Sequence, residues 1–486
     1  MKALLHTCLA GVLVFSLSGC GSSDGLGLSG QDQEQTQTYA ETFAPAKEAL
    51  TAGRFEELVG RMNASFTKDG ERMPLEDIKD ELVSKNSELA IVERGLLTLN
   101  SGDFELALTF FDAAEQKLDK TESNGFSSFF GSMGGGGLAA LTGLEEGRPY
   151  RMRGYEKVML YNYKALCYML LGDRKAYNVT RNAIDRQQQE WEKFKERLAK
   201  LEAKQQEDGE VANISRQINA DNRSAATRKK AALVSSAYVN PFGDYMNAVL
   251  QEIDSLDDKS LRDNARISYE KVVENNKSCS TARTASKAVM KNAPQGRKLV
   301  HVILSDGFAP ERKEMSKALK IEGLTGIVNW TEATPVPTKV TGARVRAAGQ
   351  TANLTSLSRM ESIALRDDQD MIPWRYTMMA LALARSGSAG FLAQKLGLKS
   401  ELGAGLVSKM QRPDTRAWLS LPNQVLVARM YVPNGTKQIT VETLSGGSRL
   451  ARANVQIAAE GPTVVYAVSY DNQLRAYANK NSWVKQ

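Results

Sequence analysis

From Tyr39 to about Asn275 apolar residues recur at three- and four-residue steps, the spacing that lines one face of an α-helix, so this whole stretch is predicted helical. The best-defined unit runs from Ile91 to Asp119, where Gly95, Gly102, Phe104, Ala107, Phe111 and Ala114 sit at the offsets of two antiparallel helices. Small residues at Gly95 and Ala107 let the helices approach closely, with Ala107 expected to face Gly95 at the crossing. Gly102 makes the turn, and Phe111 fills the groove towards the next pair. Tyr155 to Ile184 repeats the pattern through Tyr161, Ala165, Tyr168 and Gly172-Asp173, without the aromatic expected in its second helix. Pro241 to Asn275 is a looser copy with Ala265, Tyr269 and Val272, and Ala46 to Met62 around Gly53 a degenerate one.

Two segments interrupt the helical pattern. Asp185 to Lys230 is polar, with Trp191, Phe194, Leu198 and Leu201 at helical steps until Asp208-Gly209 breaks them; it reads as a projecting helical hairpin (185–230) returning through Ile214 and Ile218. Asn124 to Gly131, followed by Met133 and Gly134 to Gly137, reads as a flexible loop. It lacks the Lys-Ser or Lys-Thr that a phosphate-cradling glycine loop carries.

Beyond Pro294 the period changes to two. Lys298 to Leu304 is a β-rich run ending at Ser305-Asp306-Gly307, and Val340 to Ala347 alternates. Gln424 to Val432 and Lys437 to Leu444 flank Pro433-Asn434-Gly435-Thr436, a hairpin signal, and Asn454 to Ala458 and Thr463 to Tyr470 follow as strands. A helical insertion lies between them at about 357–408, broken by Arg375, Arg385, Gln394 and Lys395. The predicted class is therefore α+β. An N-terminal α-helical repeat array (39–292) precedes an antiparallel, β-sandwich-like domain with a helical insertion (295–486). The helical offsets resemble those of the tetratricopeptide (TPR) repeat, so the array is read as TPR-like, with a plain helical bundle as the competing reading.

The chain has 486 residues, 42% hydrophobic and 24% charged, which suits folded domains with real cores. Its formal net charge of +7 is spread without a dense block, so nucleic acid is not an expected partner. The first residues differ in texture: Met1-Lys2 is followed by a largely apolar run to Phe15 and then by Leu17-Ser18-Gly19-Cys20. This resembles the lipobox of bacterial lipoproteins, which implies a signal peptide at 1–19 and a lipid on the Cys20 thiol. The polar, Gly- and Gln-rich stretch 20–38 reads as a flexible tether. By the same resemblance Gly21, where an Asp would retain the protein in the inner membrane, implies the periplasmic face of the outer membrane. No later stretch offers the roughly 18 unbroken apolar residues of a membrane span.

Catalytic chemistry finds little support. Outside the predicted signal segment the only histidine is His301, inside the β-run Leu299 to Leu304, where a satisfied core imidazole is expected. A Ser-His-Asp triad would need it as base. Paired acids at Glu145-Glu146, Asp257-Asp258 and Asp367-Asp368 match the carboxylates of glycoside hydrolysis in residue type alone, since neighbouring side chains diverge. No catalytic, cofactor or metal residue is assigned, and the protein is not expected to be an enzyme. Cys167 and Cys279 are read as free thiols.

Two segments combine turn-formers, charge and an aromatic: Asp306-Gly307-Phe308-Ala309-Pro310 with Lys313, and Asp414-Thr415-Arg416-Ala417-Trp418-Leu419-Ser420-Leu421-Pro422. Here the chain resembles a family of proteobacterial outer-membrane lipoproteins of unassigned activity, with TPR-like helical repeats and a closing β-domain. The resemblance covers about Tyr39 to the end, and implies association with activators of peptidoglycan synthases. Asp306, Lys313, Asp414, Arg416 and Trp418 are the candidate partner contacts, a structural role for each being the competing reading. The expected function is a lipid-anchored scaffold or adaptor that binds envelope proteins in cell-envelope assembly. An envelope glycan or peptide hydrolase, or a glycan- or lipid-binding protein, is the alternative, and the oligomeric state is left open.

Overall fold

The computed structural model describes residues 38–135, 150–207, 225–321, 324–372 and 413–480. Cys20, the predicted signal segment and the tether up to residue 37 lie outside them, as does most of the predicted insertion, 373–412. The chain is α+β, with helices leading and strands following. No described helix is long and apolar enough to cross a membrane.

Helix α1 (Tyr39–Thr51) starts on a capping box between Thr38 and Glu41 and is followed by α2 (Phe55–Asn63). A minimal ribbon, β1 (Thr67–Lys68) with β2 (Glu71–Arg72), leads to α3 (Leu75–Lys85), which lies against the later helix α5 (Phe104–Gly135). Helices α4 (Glu88–Asn100) and α5 (Phe104–Gly135) form the unit read most clearly from sequence, turned by Gly102 at φ +87°. Gly95 is needed for their approach, but its neighbours differ from expectation. A Cβ built there would lie 2.8 Å from Cβ of Phe110 and 3.1 Å from the Phe111 ring, so the phenylalanines fill the crossing. Ala107 is buried but is not among the nearest neighbours.

Helices α6 (Gly154–Leu171) and α7 (Ala176–Glu207) pack together next, joined through Gly172 in the left-handed conformation at φ +72°. Short α8 (Ala225–Ala231) precedes α9 (Pro241–Asp254), α10 (Arg262–Asn275) and α11 (Ser280–Ala288). One expectation fails in this half. The predicted loop at Asn124 to Gly131 is a continuation of α5, which runs to Gly135. The first limb of the predicted projecting hairpin is helical, as expected, and forms the end of α7; Trp191, Phe194 and Leu198 cluster with Tyr238, and Ala199, Lys200, Glu202 and Ala203 beyond them are exposed. The break at Asp208 and the return through Ile218 lie outside the described residues.

The strands form two main sheets. One has the order β13-β12-β3-β9-β8, comprising β3 (Arg297–Asp306), β8 (Thr355–Ser358), β9 (Gln424–Pro433), β12 (Thr463–Tyr470) and β13 (Gln473–Ala478). The other has the order β11-β10-β6-β7, comprising β6 (Gly342–Ala347), β7 (Gln350–Asn353), β10 (Gln438–Ser445) and β11 (Ser448–Gln456). A separate ribbon pairs β4 (Glu311–Ile321) with β5 (Leu324–Thr334), and α12 (Met360–Asp370) packs beside β5.

The five-stranded sheet is mixed, which corrects the antiparallel expectation: β3 and β12 run parallel from Val300↔Thr463 to Asp306↔Ser469. Parallel pairs are found where both faces are covered, and here they are. Along β3, Leu299 and Ile303 join the core shared with the helices, whereas Val300, Val302 and Leu304 join the core shared with the four-stranded sheet. The same division separates Val425 and Val427 from Leu426 and Ala428 on β9, and Val464 and Tyr466 from Val465 and Ala467 on β12. The result is three layers, helices, mixed sheet and antiparallel sheet, with the mixed sheet in the middle.

The expected hairpin at Pro433 to Thr436 is not a hairpin. Strand β9 pairs with β3 and β8, and β10 pairs with β11 and β6, so the turn carries the chain from one sheet to the other. Neighbouring turns hold it there: Asn434 N donates to Gly296 O at 2.9 Å and Gly435 N to Ala459 O at 2.9 Å.

Candidate functional site

Residues 413–423 cross between the helical layer and the mixed sheet without regular structure, so their backbone N–H groups need partners from elsewhere. Two helix carboxylates supply them. Glu93 on α4 accepts from Leu419 N at 2.7 Å through Oε1 and from Ser420 N at 2.9 Å through Oε2. Glu156 on α6 accepts from Trp418 N at 2.9 Å, and its other oxygen takes Tyr150 OH at 2.5 Å and Arg153 N at 2.7 Å. Trp418, 1% exposed, packs against both rings of the stacked Phe111–Tyr163 pair with centroids 6.4 and 6.2 Å away, and its Nε1 donates to Ser420 Oγ at 2.9 Å. Burial raises the Glu93 carboxyl to about 7 against the opposing pull of hydrogen bonds from Ser420, Leu419 and Tyr39. Burial also raises Glu156, opposed by Trp418, Tyr150 and Arg153.

The fold brings the two sequence-selected segments side by side. Ala309 N donates to Leu421 O at 2.6 Å and Asn423 N to Asp306 O at 2.8 Å. The Asp306 carboxylate is wholly buried at the ends of β3 and β9, taking Thr338 Oγ1 at 2.9 Å and Gln424 Nε2 at 3.1 Å on Oδ2. A hydroxyl and an amide offset burial only in part, and Asp306 is pushed up to about 6. Asp414 and Arg416 are half-buried and paired: Arg416 donates from its backbone N at 2.9 Å, from Nε at 2.7 Å and from Nη2 at 2.7 Å. Lys313 stands exposed on β4, opposite Glu332, apart from this cluster. Of the five candidate contacts, Asp306 and Trp418 are enclosed by the chain itself, and Lys313, Asp414 and Arg416 reach solvent.

A second buried polar cluster joins the same two layers. Glu252 on α9 meets Arg429 of β9 through Nε at 2.9 and 3.0 Å and also through Nη2. Tyr269 OH donates to Glu252 Oε2 at 2.7 Å, and His301 Nε2 lies 3.3 Å from the same oxygen. Burial works to raise Glu252, but His301 and Arg429 outweigh it and hold the carboxyl at about 2. Burial lowers the His301 imidazole despite Glu252 beside it. His301 is a core histidine, as the sequence suggests, with Tyr245 OH 3.3 Å from Nδ1, but it is not fully satisfied: Nε2 makes no hydrogen bond among the described residues.

The paired acids Asp367-Asp368 are occupied by arginines. Arg153 Nη1 donates to Asp367 Oδ2 at 2.9 Å, and Arg312 Nη1 to Asp368 Oδ1 at 3.0 Å, which fastens the base of the β4–β5 ribbon to α12. Asp258 turns on itself, accepting from Ser260 N at 3.0 Å, and Glu145-Glu146 lies outside the described residues. Cys167 and Cys279 are free and buried. No grouping of His, Cys, Asp and Glu suited to a metal ion occurs among the described residues. The hollow between Leu50, Phe55, Tyr470 and Arg475 encloses about 10 Å³, barely the space of one water.

Sequence reasoning passed over Glu93, Glu156, Glu252 and Arg429. A signal was available: each glutamate lies on the apolar stripe of its helix, as Glu252 does with Tyr245 and Val249 at i, i+4 and i+7. An acid on such a stripe marks a buried carboxylate that must find donors. Together these contacts define an α+β protein whose helical layer is joined to a mixed sheet by buried carboxylates. No protein-family model, no curated protein and no solved structure matches the chain.

Proposed function

We propose that the chain is a lipid-anchored scaffold or adaptor of the cell envelope, held at the periplasmic face of the outer membrane through Cys20. Its TPR-like helical array and β-sandwich-like domain bind envelope proteins, with peptidoglycan synthesis the favoured setting. The observation that carries this reading is the run Leu17-Ser18-Gly19-Cys20 with the polar tether behind it. The tether joins the body where Tyr39 N donates to Thr415 Oγ1 at 3.2 Å, beside half-buried Asp414 and Arg416. Two of the candidate partner contacts, Asp414 and Arg416, are thus close to the point where the chain enters the body, which supports this reading.

The anchor is tested by acylation and fractionation in cells. Wild-type chain should carry acyl groups at Cys20 and sediment with outer membranes, because each buried methylene contributes about 0.8 kcal/mol. The Cys20→Ser variant should remain an unacylated precursor or a soluble form; a variant that still fractionates as wild type overturns the assignment. Crosslinking in living cells tests the adaptor role. Protein partners captured by wild type should be lost with Lys313→Glu and Arg416→Glu together, and capture of no protein by wild type counts against it.

A further inference from the structure

The four-stranded sheet buries one face and leaves the other in solvent. Valines and alanines of β6 and β10, Ala343, Val345 and Val441 among them, point into the core with the mixed sheet. On the outer face the register sets Arg344 opposite Glu442, Glu442 opposite Arg452, and Arg346 opposite Thr440. Simple alternation would put Arg449 and Arg452, three residues apart, on opposite faces. A β-bulge prevents this: Thr443 pairs with Ala451 but Leu444 with Arg449, so Leu450 is the extra residue and Arg449 returns to the outer face. Its Nη1 lies 3.7 Å from Glu442 Oε1, with Arg344 Nε at 2.6 Å on Oε2.

The four strands together hold four arginines, one glutamate, no lysine and no aromatic residue. Glu442 is engaged by Arg344 and Arg449, which leaves exposed Arg346 and Arg452 as surplus positive charge. Guanidinium groups recognise phosphate oxygens by paired N–H donors. A single-stranded nucleic acid site of this kind adds aromatic platforms on which bases stack, and these strands have none. What remains is a basic, hydrogen-bonding face suited to a surface of phosphates.

We propose that this outer face is an electrostatic contact for an anionic phospholipid surface, laying the body against the membrane that holds its lipid. The proposal rests on the anchor reading only for the identity of that membrane. Fully extended, Gly21 to Gln37 spans at most about 60 Å. That reach exceeds the roughly 48 Å length of a 32-residue helix such as α7.

Vesicle sedimentation of the chain from Gly21 onward, which carries neither the acyl group nor the apolar 1–19 segment to confuse the result, tests it. The chain should sediment with phosphatidylglycerol-containing vesicles and not with pure phosphatidylcholine, and added salt should release it. Arg346→Glu with Arg452→Glu should weaken that binding at least about tenfold, while Arg346→Lys with Arg452→Lys retains most of it. Unchanged thermal melts would show that both variant pairs fold. Equal sedimentation with neutral vesicles, no effect of charge reversal, or retention on purified peptidoglycan without vesicle binding would each overturn the proposal. Failure of acylation in cells leaves this measurement untouched, so the two readings fail separately.

Discussion

Glu156 accepts the backbone N–H of Trp418 at 2.9 Å, a contact between residues 262 apart in the chain. With Glu93 beneath Leu419 and Ser420, it fixes the irregular segment that links helices to sheet. Neither carboxylate is replaceable by an amide without loss. In Glu93→Gln one side-chain N–H₂ would face a backbone N–H in place of an acceptor. The variant should lose about 1–3 kcal/mol in denaturant unfolding, and a change within error would show that Glu93 does not hold the segment.

Glu252 is held at about 2 in the fold, below the ordinary 4.5 of a free carboxyl. A depressed acid contributes stability that is present above 4.5 and is lost as pH falls towards 2. His301, lowered from 6.5, acts in the same direction, with its contribution eroding as pH falls below 6.5. Glu252→Gln should flatten the acid limb and, by leaving Arg429 buried without its anion, cost on the order of 3–5 kcal/mol at neutral pH. Urea unfolding from pH 7 to pH 3 measures both effects.

Asp306 has the opposite sign. Its folded value of about 6 exceeds the 3.8 of a free aspartate, so its contribution to stability falls as pH rises from 3.8 to 6. Asp306→Asn keeps an acceptor for Thr338 and Gln424 and removes the buried charge. At pH 8 the variant should match or exceed wild type, by up to roughly 1–3 kcal/mol, and the difference should close near pH 4. A variant equally destabilised at both pH values would mean that the carboxylate has another essential contact.

The α4–α5 crossing gives a packing test. Gly95→Ala places a methyl group 2.8 Å from Phe110 Cβ, and should cost about 1–3 kcal/mol. Phe111→Ala empties space beside Trp418 and Tyr163 and should cost about 3–5 kcal/mol, whereas an exposed change such as Arg452→Ala stays within about 0.5 kcal/mol. Thermal melts of the three variants rank them. Equal shifts would show that the crossing is not close-packed.

The amino-acid sequence alone determined what local spacing can carry. The three-to-four period before Pro294 and the alternation after it gave the α+β class, and Gly102 and Gly172 marked turns that only a left-handed residue makes. Strand β3 was legible from Leu299 to Leu304, and His301 within it as a core residue. Partnership between strands was not legible, because alternation states which residues share a face and says nothing of what covers it. On that ground Pro433 to Thr436 reads as a hairpin, although the turn passes between layers. Asp306 and Trp418 stood out as charge and aromatic beside turns, yet only tertiary packing decides whether such residues meet solvent or, as here, Glu156 and Gln424. The bulge at Leu450 is of the same kind: it is written in no local pattern, and the pairing of β10 with β11 alone decides that Arg449 joins Arg452 on one face.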